Sequence, residues 1–210
     1  MSQVTSLNSN SNSNRKSQVK EKGWQKYGIG DEIYASDFGV WRVNRGIVQL
    51  SRIKADENEV IVGFITTKGL ITTNGTFENS LSESLVAYRA IALSDVDLQY
   101  FSQQNIADSP TLAKSLLTNF SDRLIKTQQL LTIALIRNNK ERLKKLLLIL
   151  KEEIGIPTAD GVRLQIRFTH QHLANIICTN RASITRILKD FQRQGLISLD
   201  AKRHIVIKEW

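Results

Sequence analysis

Phe168–Ile197 reads FTHQHLANIICTNRASITRILKDFQRQGLI, two apolar helical patterns divided by a short polar break. Thr169 is a good N-cap, and Gln171 to Ile177 make a first short helix with Leu173, Ala174 and Ile177 inward. The turn Cys178-Thr179-Asn180 leads into RASITRILKDFQRQ. There Ile184, Ile187, Leu188 and Phe191 recur at i, i+3, i+4 and i+7 and form a buried face. Asn180, Arg181, Ala182, Ser183, Thr185 and Arg186 lie on the early turns outside it, and Lys189 repeats the base. This is helix-turn-helix spacing, in which the first residues of the second helix reach base edges in the major groove of DNA. The alternative is the same shape used for protein contacts, with a basic face that is only solvated.

Downstream, Gly195 ends the second helix. LISLDAKRHIVIKEW then reads as two strands joined by a turn with Lys202 and Arg203 at its tip, a wing. Residues 160–210 hold nine Lys/Arg against four Asp/Glu, a local charge of +5 within a chain of formal charge +9. The excess sits where a polyanion would be met.

Upstream, NKERLKKLLLILKEEIG places Leu143, Leu146, Leu147 and Leu150 on one face and stops at Gly155, with Pro157 beyond. The six Lys/Arg from Arg137 to Lys151, set against Glu141, Glu152 and Glu153, mark a solvated face. After Pro110, the residues Leu117, Phe120, Leu124, Thr127, Leu131 and Ala134 recur with 3-4-3-4-3 spacing, the a/d seam of a two-stranded helical interface. Leu116, Ile125, Leu130, Ile133 and Leu135 supply a second apolar face, so the helix is expected to pack on its own barrel and on a partner at once. A single amphipathic helix lying on its own barrel is the alternative.

From Trp24 to about Leu98, short β-rich runs (EIYAS, GVWRVNRGIVQLSRI, EVIVGFITT, SLVAYRAIALS) are punctuated by Gly30, Gly39, Gly46, Gly63, Gly69 and Gly75. This texture predicts a small β-barrel or roll. The Ser/Asn-rich start cannot bury enough surface to offset chain entropy and reads as a disordered tail. The expected organisation is therefore α+β: a tail over 1–23, a β-roll over 24–109, a dimerisation helix over 110–136 and a winged helix-turn-helix over 137–210.

Several function classes are excluded. One cysteine, Cys178, forms no internal disulfide and holds no zinc or iron–sulfur centre by itself; it reads as a packed thiol in a reducing cytoplasm. No run of 18 apolar residues exists and the amino terminus has no secretory core, so a cytoplasmic chain without a membrane partner is expected. His170 and His172 stand at i, i+2 and diverge on a helix, His204 is remote, and no phosphate-cradling GxxxxGK[ST] is present. Neither an enzyme nor a metal or other cofactor is expected.

The order of roll, long helix and winged helix resembles the cyclic-AMP receptor protein/FNR family of bacterial transcription regulators. RLKKLLLILKEEIGIPTADGVRLQIRFTHQHLANIICTNRASITRILKDFQRQGLISL is similar to the family's cyanobacterial nitrogen-regulator (NtcA) branch, which has a comparable GVPCADG link and TRVTVTRLL helix. The resemblance covers about residues 28 to 208 and is specific over the last 75. It implies a cupin-like roll of the cyclic-nucleotide-binding type. It also implies a homodimer on double-stranded DNA, with a recognition helix at about 181–193 reading a palindrome whose half-sites lie roughly 34 Å apart, and RNA polymerase as a further partner.

Arg181 and Arg186 then hold the family's two recognition arginines, whose planar forks suit guanine O6 and N7. Ala182, where many members carry Glu, offers a methyl suited to thymine. Thr169, His170 and Gln171 fall where the family grips phosphate, and Arg203 in the wing adds another contact. Cys178 stands at a turn position that is usually Gly. In the sensory half, the family's G-E-x-F-G-E segment and following Arg bind a cyclic nucleotide, while the nitrogen-regulator branch binds 2-oxoglutarate. The segment NGTFENSLSESLVAYRAIAL keeps Gly75, Phe77 and Glu78 but has Leu85 or Val86 at the Arg position, so no cyclic nucleotide, and no other small effector, is expected. Arg123 matches an effector-contacting Arg of the branch, and Gln128 stands where the branch has Glu. A degenerate member that modulates another regulator or polymerase without reading DNA is the alternative.

Overall fold

The computed structural model describes residues 23–33, 39–53, 59–71 and 87–208. The amino-terminal β-rich runs form seven strands: β1 (Trp24–Tyr27), β2 (Gly39–Arg45), β3 (Val48–Ile53), β4 (Glu59–Ile65), β5 (Leu70–Ile71), β6 (Ala87–Ala92) and β7 (Val96–Ser102). They make two antiparallel sheets, ordered β1-β7-β2-β5 and β4-β3-β6. Trp41, Val43, Val48, Leu50, Ile65, Ala90, Ala92, Val96 and Leu98 fill the space between them. Trp41 pairs with Tyr100 across β2 and β7, with ring centroids 4.9 Å apart.

Gly46, with φ 95°, makes the turn from β2 to β3; a Cβ there would lie 2.3 Å from the Asp95 carbonyl oxygen. Gly63 is not a turn residue: it lies inside β4, where the β3–β4 register shifts. A bulge of this kind bends a strand without ending it. Of EIYAS, Glu32 makes only an isolated bridge to Ile91, and the rest of the run after Ile33 lies outside the described residues, as do the expected tail through residue 22 and Gly75.

Three helices follow. The short α1 (Gln103–Ala107), which sequence periodicity did not pick out, is closed by a capping box between Ser102 and Asn105. In α2 (Pro110–Ala134), Ser109 is the N-cap and Pro110 is the first helical residue. Asn138 caps α3 (Asn139–Ile154) through the amides of Lys140 and Glu141. Leu116 and Ile133 of α2 are buried, but Ile125 and Leu135 are 53 % and 77 % exposed. At about 100° per residue, Ile125 lies about 180° from Leu116, so the expected second apolar face cannot include it. Leu135 instead joins the outward stripe of Leu117, Leu124 and Leu131, which are 67 %, 59 % and 63 % exposed. Of the remaining seam residues, Phe120 packs against its own roll beside Val40, Leu70 and Leu116, and Thr127 and Ala134 are exposed.

The carboxyl-terminal part contains β8 (Gly155–Thr158), β9 (Gly161–Leu164), α4 (His170–Ile176), α5 (Arg181–Arg193), β10 (Ile197–Leu199) and β11 (Ile205–Ile207). The β8–β9 hairpin, read beforehand as a link, completes a four-stranded sheet ordered β10-β11-β9-β8. One core cluster runs through the two halves: Ile47, Ile61 and Phe64 of the roll join Leu143, Leu147, Phe168, Leu173, Ile184 and Phe191. Phe64 meets Phe168 edge to face at 5.5 Å.

Candidate nucleic-acid interface

Local capping sets both helices of the candidate site. Thr169 accepts from the amide of His172 to open α4, and Asn180 accepts from that of Ser183 to open α5. Between them Cys178 takes φ 53°, a left-handed conformation that glycine adopts without strain and that accounts for glycine being usual at this turn. Its thiol is exposed and not packed as expected, because the turn aims it out of the core.

Arg142 of α3 holds the end of α4 by donating to the carbonyl of Ile177 at 2.6 Å, and it also donates to that of Ile136. Asn139 donates to the Thr179 hydroxyl at 3.0 Å. These two α3 residues were missed by sequence reasoning; their contacts span 35 and 40 positions. Lys140 pairs with Asp190 and lies over the Phe191 ring, which ties α3 to α5. The hydrogen bond from Lys140 is the main reason that the Asp190 carboxyl lies below the ordinary carboxylate range.

The inner face of α5 is made by Ile184, Ile187, Leu188 and Phe191, all buried. Arg181, Ala182, Arg186 and Lys189 are exposed, and Ser183 and Thr185 are half-buried beside them. At about 100° per residue, Arg186 lies about 140° around the axis from Arg181. The two guanidiniums therefore flank the outward face, with Ala182 and Lys189 between them. Among the described residues, Arg181, Arg186, Lys189 and Arg203 have no acidic partner, whereas Lys140, Arg163 and Arg193 do.

The wing tip is organised by Asp200, another residue that sequence reasoning passed over. Its carboxylate accepts from the amides of Lys202 and His204 at 2.9 and 2.8 Å and faces Arg163 at 3.6 Å. Desolvation pushes the Asp200 pKa up, but hydrogen bonds from His204 and Lys202 outweigh it and hold the group low. Lys202 and Arg203 are left exposed, Arg203 with φ 63°. Gln171 is exposed at the start of α4, while His170 is half-buried and touches α5 through Thr185.

Arg123 points away from this surface and donates to the Leu70 carbonyl at 2.9 Å. It lines a cavity of about 750 Å³ between β4, the turn to β5, α2 and α3, whereas Gln128 lies on the exposed side of α2 outside that lining. The structure thus does not bring these two residues together within one chain. Of the segment quoted for effector binding, residues 74–93, the part from 74 to 86 lies outside the described residues, and Ala87–Ala92 forms β6.

Among known proteins, residues 141–210 match the Crp-like helix-turn-helix domain. The chain is 28 % identical over 167 residues to the Global nitrogen regulator of Synechococcus elongatus, covering 78 % of this chain and 75 % of that protein. It is 20 % identical over 172 residues to the Anaerobic regulatory protein of Bacillus subtilis, covering 80 % of this chain and 71 % of that protein. A transcriptional regulator of the CRP/FNR family from Thermus thermophilus shares the fold with a TM-score of 0.72 at 22 % identity, over 89 % of this chain and 93 % of that one. These relatives are regulators by name and not enzymes, and among the described residues no helix is long and apolar enough to cross a membrane. With its winged helix-turn-helix, long helix and two-sheet roll in this order, the chain has the fold of the CRP/FNR regulators and carries a Crp-like helix-turn-helix domain over residues 141–210.

Proposed function

We propose that the chain works in the cytoplasm as a homodimer that reads a palindromic site in double-stranded DNA through the outward face of α5. The observation that carries this reading is the set of exposed cations, Arg181, Arg186, Lys189 and Arg203, left without acidic partners on α5 and the wing. Arg181 and Arg186 read guanine edges, Ala182 meets a thymine methyl, and Thr179, Asn180, Ser183, Thr185 and Lys189 border the groove. Thr169, His170, Gln171 and Arg203 grip phosphate.

Residues 110–136 form the dimer contact, in which the exposed Leu117, Leu124 and Leu131 gain a covered face. Residues 24–109 are the sensory-type roll and 137–210 the DNA-binding part. RNA polymerase is the further partner this reading implies, and the roll takes neither cyclic AMP nor 2-oxoglutarate because the anion-binding Arg of the family's segment is missing.

One titration series at two salt concentrations, on a selected site and on random duplex, tests the assignment. Arg186→Ala is expected to cost about 1–3 kcal/mol per half-site on the selected site and to leave random duplex nearly unchanged. Arg203→Ala is expected to weaken both equally and to reduce the salt slope by about one. Equal loss on both duplexes for Arg186→Ala makes that side chain a phosphate clamp. Absence of binding to either duplex by the unmodified chain leaves the interaction-protein reading in its place.

A further inference from the structure

α4 and α5 meet at one polar contact, His170 Nδ1 to Thr185 Oγ1 at 2.7 Å. The hydroxyl of Thr185 donates to the carbonyl of Arg181 at 2.9 Å. Thr185 therefore accepts from His170, which fixes the first ring proton on Nδ1. Nε2 is then a bare lone pair in the neutral ring and an N–H in the charged one. Among the described residues, Nε2 has no hydrogen-bond partner, and it sits at the edge of the surface assigned to DNA.

The groups around this ring come from few places. Desolvation first, and then repulsion from Arg181 and Lys189 of α5, hold its pKa below the ordinary histidine value. On α4 itself Gln171 is neutral, and His172 diverges from His170 by about 200° around the helix. β4 packs against α4 through Ile61 and Phe64, and its one titratable group, Glu59, is engaged by the Ser51 hydroxyl at 2.6 Å. Arg142 acts at the opposite end of α4. The described surroundings thus offer cations and no anion to a charged ring, and a phosphate oxygen reverses that balance.

We propose that His170 is a proton-linked DNA contact: docking a phosphate oxygen at Nε2 takes up one proton, while Nδ1 keeps its hold on Thr185 and so on the first turn of α5. This rests on the DNA-binding reading above. The sign follows from linkage. An opposing charge raises the ring's pKa in the complex, the complex holds more protons than the free chain, and affinity rises as pH falls through the histidine range.

The test is fluorescence anisotropy of the full chain on a selected duplex at constant ionic strength, from pH 8 to pH 5.5. Binding is expected to tighten about three- to tenfold toward low pH, the effect of one ring charge beside one phosphate. His170→Asn retains a donor toward Thr185 but has no Nε2, and it is expected to lose that slope whatever its affinity at pH 8. A flat profile for the unmodified chain, or an unchanged slope in His170→Asn, overturns the inference. If the variant does not fold, NMR titration of the His170 ring in the unmodified chain decides: a higher pKa with duplex bound supports the proton uptake, and an equal or lower one refutes it. Failure of the DNA-binding reading is separately visible as no binding at any pH, and this inference then falls with it.

Discussion

Cys178 shows how one residue carries the geometry of the site. Its φ of 53° lets the chain leave α4 and start α5 at once. An L-residue in that region costs roughly 1–2 kcal/mol, part of which glycine gives back through its freer unfolded chain. Cys178→Gly is therefore expected to stabilise the protein by about 0.5–1 kcal/mol, an increase in melting temperature of about 2 °C by calorimetry. A lower melting temperature rejects the strain argument. The turn itself was legible as a break between two helical periods, and the family resemblance implied that glycine is usual at this position. The hold of His170 on Thr185 was not, since it joins residues 15 positions apart whose meeting depends on the angle between two helices.

For the elements, α2 is the informative case. Leu117, Leu124 and Leu131 repeat every seven residues and face out, while Leu116, Leu130 and Ile133 pack inward. An exposed heptad stripe is stable in water chiefly when a partner covers it. If the proposed dimer covers this stripe, Leu124→Asp places a charge in the contact and is expected to dissociate the dimer, read as a halved mass in sedimentation equilibrium. An unchanged dimer sends the interface elsewhere. The two apolar faces were legible in the 3-4 spacing. Membership of Ile125 and Leu135 was not, because spacing alone does not say which way the helix is turned on the roll. The β8–β9 hairpin escaped for another reason: its strands are four residues each and one contains Pro157, although Asp160-Gly161 at the turn was a usable signal.

Across the whole molecule, the roll and the helix-turn-helix share one core cluster, centred on Phe64 against Phe168. The position of α5 relative to α2 is thereby set by side-chain packing as well as by the chain connection. A double-mutant cycle on Phe64→Leu and Phe168→Leu, followed by chemical denaturation, is expected to give a coupling energy of about 0.5–1.5 kcal/mol. Strictly additive losses mean that the two halves are energetically independent. Lys126 and Glu153, 3.1 Å apart, make a second tie between α2 and α3 beside the cavity.

The helix-turn-helix with its Thr169 cap, the wing, the roll as a class and the long two-faced helix were all determined by the sequence alone. Each depends on local periodicity, on a cap or on a turn residue, and those interactions span only a few positions. Only the tertiary structure decided that Arg142 and Asn139 hold the turn before α5 and Asp200 the wing tip, that Phe120 belongs to the roll, and that Arg123 and Gln128 lie apart. It also separated the cations that have acidic partners from those that do not. These outcomes depend on how preformed elements are rotated and stacked against one another, and a one-dimensional period carries no information about that rotation.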